Sequence, residues 1–193
     1  MTPSAASSQD RADRHEQILE AVLRVLGRDG ISGLSIRAVA REAGIAAGLV
    51  GYYFEDKAAL IRAALRRIGE QDLALLDTDP ALSAQDQLRS AIRRVAGSEF
   101  LTTEYLSLRL HLWSLAQAHQ DFEAINTQAQ AEYRATLARL IRAARPELSR
   151  SESTRRAADI DVLQNGLWLT ALLGLDRASV RRCVARCEEI ALG

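Results

Sequence analysis

The sequence predicts an all-α fold in two domains, with about nine helices, and three observations lead there. No segment alternates apolar and polar residues with a period of two. Apolar residues instead recur at steps of three and four along most of the 193-residue chain. The prolines, Pro3, Pro80 and Pro146, fall between these periodic segments, where a ring that would clash inside a helix does no harm. A hydrophobic content of 48% is ample for a core. Basic and acidic side chains number 25 each, so bulk charge does not attract a polyanion. Ten of the bases and eight of the acids precede residue 70, an asymmetry of the right sign for nucleic acid but small. Any DNA affinity must rest on a few placed charges, doubled by dimerisation.

Residues 1–10, MTPSAASSQD, are small and polar and read as a disordered tail, not a signal peptide. No apolar run reaches the roughly 18 residues of a membrane span, and a cytoplasmic location is expected. From Arg11 to Arg28, Ile18, Leu19, Val22, Leu23 and Leu26 form one stripe, which Asp29-Gly30 ends. Arg14, near its start, is either a solvated charge or a phosphate contact. The next stretch, Ser35 to Leu60, organises the chain. Ile36, Val39, Ala40 and Ala43 recur at helical spacing with Arg37, Arg41 and Glu42 outward, and Gly44 closes the helix. After a short turn, Val50 and Phe54 lie four apart and can pack back on the first helix. The pattern at about 35–54 is a helix-turn-helix, or else an ordinary helical corner.

The motif Ser35-Ile36-Arg37, with Val39, Ala40, Ala43-Gly44-Ile45, Gly48, Tyr53-Phe54 and Lys57-Ala58-Ala59-Leu60, resembles the N-terminal domain of the TetR family of bacterial regulators. The resemblance implies a DNA-binding domain at 11–71 and an effector-binding and dimerisation domain at 72–193. It implies that Arg37 reaches a base edge, with guanine as the natural partner of a guanidinium. Ala47, Gly48, Leu49 and Gly51 would lie along the outer face of the recognition helix. Ser35, Tyr52, Tyr53 and Lys57 would contact sugar and phosphate, with packing against the fourth helix as the other role for Tyr53. Lys57 is the single lysine in the chain. A compact ammonium at a helix N-terminus suits a phosphate oxygen. Two positions depart from the family pattern. Ala46 stands where many relatives have Ser or Thr, which removes an N-cap worth about 0.5–2 kcal/mol. Gly51 sits inside the helix, at a cost of about 1 kcal/mol relative to alanine. Together they predict a recognition helix that firms up on DNA.

Beyond Lys57, Leu60, Ile61, Ala64, Leu65 and Ile68 mark a fourth helix running into the seventies and broken at Asp77–Pro80. Leu88, Ile92 and Val95 mark the fifth. The sixth, Leu101 to about His119, carries Tyr105, Leu108, Leu112 and Leu115 on one face and Leu106, Leu110 and Trp113 on another, and so should lie centrally. Phe122, Ile125, Ala129, Tyr133, Leu137, Leu140 and Ile141 mark the seventh, which stops before Pro146.

The eighth, Ser151–Leu173, has two apolar stripes: Ile160, Leu163, Leu167 and Ala171, and Val162, Gly166, Leu169 and Leu173. The last, Ala178–Leu192, carries Val180, Val184 and Cys187. A helix with two apolar faces needs two partners, and TetR-family proteins dimerise through their last two helices. The dimer is therefore expected to use Ile160, Leu163, Gly166, Leu167, Leu169, Val180, Val184 and Cys187. The segment Asn165-Gly166-Leu167-Trp168-Leu169 is similar to the subgroup holding the choline-responsive regulator of betaine synthesis. Phe100, Tyr105, Leu108, Trp113, Tyr133 and Trp168 are either an effector pocket or the core of a bundle. Joined by Glu99 or Glu104, such aromatics would hold a quaternary ammonium such as choline.

Three histidines, His15, His111 and His119, are too scattered for a metal site. Cys183 and Cys187 are either buried and inert or redox-active beside Arg181, Arg182 and Arg186. No nucleophile elbow, phosphate loop or carboxylate pair points to an enzyme, and no cofactor is expected. The reading is a homodimeric repressor of a pseudo-palindromic operator, released when a small molecule binds the C-terminal domain. The alternative is a ligand or redox sensor with a degenerate DNA-binding domain.

Overall fold

The computed structural model describes residues 5–116, 119–174 and 176–193, with side chains from residue 10 onward. Among them are nine helices: α1 Ala5–Gly33, α2 Ile36–Ala43, α3 Ala47–Tyr53, α4 Lys57–Ala74, α5 Ala84–Arg94, α6 Thr103–Ala116, α7 Gln120–Ala144, α8 Arg150–Leu172 and α9 Arg177–Leu192. Of the expected N-terminal tail, residues 1–4 lie outside the described residues, whereas from Ala5 the chain is helical. Adding residues to a formed helix avoids the cost of nucleation, and Ala5 and Ala6 are strong helix formers. The expected stop at Gly30 is a break within α1, where this glycine takes φ 64° and ψ −167°. Residues 117 and 118, in the predicted end of the sixth helix, lie outside the described residues, and α6 is followed to Ala116.

Two large cores share the molecule. The first collects Ile18, Val22 and Leu26 of α1, Val39 of α2, Val50 and Phe54 beside α3, and Leu60, Ala64 and Ile68 of α4. It also takes Leu108, Leu112 and Leu115 from α6. The second packs Leu88 and Ile92 of α5, Leu137 and Ile141 of α7, Ile160 of α8 and Cys187 of α9. The expected boundary at residue 71 therefore falls inside α4, and α6 belongs to both halves. One glycine permits this arrangement: a Cβ at Gly69 would lie 2.8 Å from that of Ala129, so α4 and α7 meet at van der Waals distance only without it.

Candidate functional site

Caps shape the helix-turn-helix. Ser35 Oγ accepts from Ala38 N at 3.1 Å and starts α2. Gly44 ends it at φ 68°, ψ 32°, and Ile45 N donates back to Ala40 O at 3.0 Å, the close of a Schellman turn. Ala46 supplies no side-chain cap to α3. Val50 and Phe54, 0% and 5% exposed, pin α3 to the core and turn Ala47, Gly48, Leu49, Gly51 and Tyr52 outward. Tyr52 is 69% exposed, and a Cβ added at Gly48 or Gly51 would meet nothing within 4 Å. Packing inside the chain requires neither glycine.

Most nearby positive charge is already paired. Glu42 receives Arg24 and Arg28, each at 2.9 Å, and hydrogen bonding to Arg28 holds its carboxyl below the usual range. Arg67 pairs with Glu16. Arg14 donates to Gln17 at 2.6 Å. Arg37 is exposed and makes no ion pair among the described residues. Lys57 is exposed at the first position of α4. Its Nζ donates to Ile31 O at 2.5 Å, and the N-terminus of α4 is capped by Asp56, which accepts from Ala59 N at 2.6 Å. The turn after the Gly30 break brings that carbonyl within reach. Tyr53 is half-buried against the core that α1 and α4 share, with its ring 6.2 Å from that of His15 and 5.3 Å from that of Tyr52. One contributor carried no signal in the sequence: Arg11, whose guanidinium lies 5.9 Å from the Tyr52 ring centre.

Between α4, α6, α7 and α8 lies a small enclosed cavity. Its space for the centre of a water-sized sphere is about 40 Å³, room for about three waters. Arg109, 4% exposed, occupies it. The guanidinium carbon is 3.7 Å from the Trp168 ring centre, 5.2 Å from Trp113 and 5.8 Å from Tyr105. Nη1 donates to Asp72 at 2.6 Å and to the Tyr105 hydroxyl at 3.2 Å. Burial pushes the Asp72 carboxyl up, against the pull of Arg109. The Tyr133 hydroxyl donates to Gln164 Oε1 at 2.7 Å. Asp161 accepts from Arg134 and Asn165, each at 3.1 Å. Two buried polar atoms are without a partner, Arg109 Nε and Gln164 Nε2, and both are donors.

The six expected pocket residues separate accordingly. Trp113, Tyr133 and Trp168 line this cavity, whereas Phe100, Tyr105 and Leu108 line an open cleft against Leu23, Gly27 and Arg28 of α1. Glu99 and Glu104 border that cleft, so neither stands by the tryptophans. The cause is the pitch of α6, which points Leu108 at the α1 core and its neighbour Arg109 at α8. The sixth helix is thus less apolar than expected: Arg109 is inside and Leu110 is 40% exposed.

The expected dimer residues also divide. Ile160, Leu167 and Cys187 are 0%, 3% and 1% exposed, spent on the chain's own core, and Leu163, Val180 and Val184 are half-buried. The second stripe is the free one: Val162, Leu169 and Leu173 are 70%, 43% and 78% exposed, with Gly166 among them. Both cysteines are free thiols. Burial pushes Cys187 up to about 12, so neither the arginines nor the helix activates it. His111 packs over Gly30, and His119 caps α7 through Asp121 N.

Two family models match. Residues 18–64 fit the bacterial regulatory proteins of the tetR family, and residues 84–191 fit the C-terminal domain of BetI-type transcriptional repressors. The HTH-type transcriptional regulator BetI of Escherichia coli K12 is 30% identical over 167 residues, 83% of each chain. A solved structure of a protein described as a transcriptional regulator from Pseudomonas aeruginosa PAO1 superposes with a TM-score of 0.79 at 26% identity, covering 93% of this chain and 89% of that one. A regulator from Saccharomonospora viridis, solved in complex with choline, shares the fold with a TM-score of 0.76 at 20% identity, covering 92% of this chain and 95% of that one. These relatives are regulators by name, not enzymes. The chain thus belongs to the tetR family of bacterial regulatory proteins and carries the C-terminal domain of its BetI-type transcriptional repressors.

Proposed function

We propose that this regulator acts as a homodimer in the cytoplasm, occupies a pseudo-palindromic operator through the outer face of α3 with Arg37, and lets go when a small molecule enters the cavity between α4, α6, α7 and α8. The observation that carries the reading is α4 itself. It begins at Lys57 beside the recognition helix and reaches Asp72 in the cavity, about 22 Å along one rigid rod. The Arg109–Asp72 pair ties that rod to α6. α6 in turn lies against α1 so closely that a Cβ on Gly27 would sit 3.1 Å from Glu104 O. A ligand that rearranges Arg109 therefore biases where the DNA-binding helices stand. Release follows if the liganded dimer holds its two recognition helices away from the roughly 34–36 Å of successive major grooves.

The exposed α8 stripe supplies the two-fold contact, with Val162, Gly166, Leu169 and Leu173 meeting their copies. The BetI-type domain and the choline-bound neighbour make choline and its zwitterionic carboxylate relative glycine betaine the first effectors to try.

The test is selection of genomic fragments by the purified protein, with and without choline or betaine aldehyde, repeated with Arg37→Ala. Recovery of one inverted repeat, lost with an effector, is the expected result. With Arg37→Ala, preference should relax at one base pair per half-site by about 1–3 kcal/mol. No enrichment at low salt would overturn the repressor reading in favour of a sensor with a degenerate DNA-binding domain.

A further inference from the structure

We propose that the inner cavity recognises its ligand through a hydrogen-bond acceptor, the carboxylate of a small organic acid or zwitterion, and that the chain's own Arg109 permanently fills the place a bare quaternary ammonium would take. The inference rests on the reading of this cavity as the effector site and narrows the class of molecule that enters it.

Aromatic faces attract a cation, and here the cation is already supplied. The Arg109 guanidinium lies 3.7 Å from the Trp168 ring centre and is held there by Asp72 at 2.6 Å. Expelling it would leave Asp72 facing a cation that donates no hydrogen bond in place of the one Arg109 gives at 2.6 Å, and would move a guanidinium from a site where it is 4% exposed. Charge in the lining is balanced without a ligand, since Arg109 answers Asp72 and Arg134 answers Asp161. What two of its donors lack is an acceptor. Arg109 Nε and Gln164 Nε2 are its two buried polar atoms without a partner, each an N–H donor that costs free energy until it is met. In the network present, Gln164 Oε1 receives the Tyr133 hydroxyl at 2.7 Å, which leaves Nε2 as the idle end of the amide. A carboxylate has the lone pairs to take both donors, one of them charge-assisted. The void admits about three waters, the size of such a head group. Trp113, Asn126, Gln130 and Asn165 line both this cavity and an outer cleft, which makes the cleft its mouth and leaves room there for the remainder of the ligand.

Trp113 and Trp168 are the only tryptophans in the chain and both line the cavity, so tryptophan fluorescence of the intact protein, excited where tyrosine does not absorb, reads the cavity and its mouth. Four probes of similar bulk separate the chemistries: tert-butylacetate, a carboxylate without ammonium; glycine betaine, with both groups; choline; and tetramethylammonium, which has no acceptor. Saturable fluorescence changes are expected with the two carboxylates, with choline at least about tenfold weaker and tetramethylammonium silent. Gln164→Glu keeps the acceptor for Tyr133 but replaces the free donor with negative charge, and should weaken the carboxylates by about tenfold or more. Saturation by choline and tetramethylammonium below the concentrations the carboxylates need would overturn the proposal, as would no response to either carboxylate. Operator binding is followed in the same samples. A carboxylate that saturates the fluorescence while the operator stays bound supports this chemistry and refutes the cavity as the effector site.

Discussion

At the recognition helix the outward side chains are small, apolar or aromatic and little of the chain leans on them: Gly48 and Gly51 border open space, and Tyr52, with Arg11 5.9 Å from its ring centre, is mostly exposed. Some 20 Å along α4, the cavity is the reverse, with a guanidinium, two carboxylates, two indoles and two idle donors gathered inside the bundle. The first region has given up its own stability to leave room for a partner that brings the missing contacts. The second keeps its charges dry and pays for them in desolvation, which makes its geometry responsive to anything that changes the hydrogen bonding. A surface that waits and an interior that is poised are what a ligand-released DNA-binding protein needs, one at each end of a rigid helix.

The largest effect should come from the interior. Arg109→Leu removes the partner of Asp72 and leaves a buried charge, at a cost of about 3–5 kcal/mol read as urea unfolding free energy at neutral pH. Replacing both residues, Arg109→Leu with Asp72→Leu, should recover most of it, because the pair as a whole contributes far less than breaking it costs. The loss in the single variant should also shrink in acid. Burial already pushes the Asp72 carboxyl up. With its arginine gone it rises further, so the penalty is present above that folded value and relieved as pH falls through it towards the unfolded carboxylate value. A single variant within about 0.5 kcal/mol of the parent would mean that water enters the cavity freely, and the contrast with the surface would fail.

At the recognition helix the sign reverses. Gly51→Ala fills space that is empty in the chain and puts a better helix former inside α3, so unfolding free energy should rise by about 1 kcal/mol. Operator affinity should nevertheless fall if α3 is the recognition helix proposed above, because the added methyl lies on its outer face. Gains in both would show that α3 was loose for no purpose; a drop in stability would mean that the helix is held otherwise than the contacts around Val50 indicate.

These two regions were also unequally legible in the sequence. Ser35, Gly44, Val50 and Phe54 act on neighbours a few residues away, so caps, a left-handed glycine and a four-residue step are visible in the string and locate the outer face of α3. The hydrogen bond of Lys57 to the carbonyl of Ile31 is not legible in the same way, because that acceptor is 26 positions back, beyond any local pattern. The cavity is made almost wholly of such distant meetings. Asp72 and Arg109 are 37 residues apart, and Arg109 looks in the sequence like a solvated charge between two leucines. Its burial follows from the rotation of α6 between α1 and α8, which no single helix encodes. The α8 stripes were both visible, but which one the chain keeps for itself depended on α9 packing over Ile160 and leaving Val162 bare. An unbroken apolar surface on α6 would have been the consistent choice for a passive core; the arginine within it was the available clue.

The smallest effect separates exposed from buried charge. Glu16 and Arg67 join α1 to α4 at the surface, as Asp72 and Arg109 join α4 to α6 in the interior. Hydrogen bonding to Arg67 holds the Glu16 carboxyl below its ordinary value. A depressed folded value means stability that is present above the unfolded carboxylate range and lost as pH falls through the folded one. The Glu16 side chain is 44% exposed, however, so water and salt screen the pair, and Glu16→Gln should cost about 0.5 kcal/mol at neutral pH. As pH falls below the ordinary glutamate range and through the depressed folded value, the parent loses the same interaction and the two unfolding curves should converge. Added salt should bring them together at neutral pH as well, whereas the Arg109→Leu deficit should survive it, since screening ions do not enter the cavity. Equal salt sensitivity at both pairs would place Arg109 in contact with bulk water and remove the distinction between the two ends of α4.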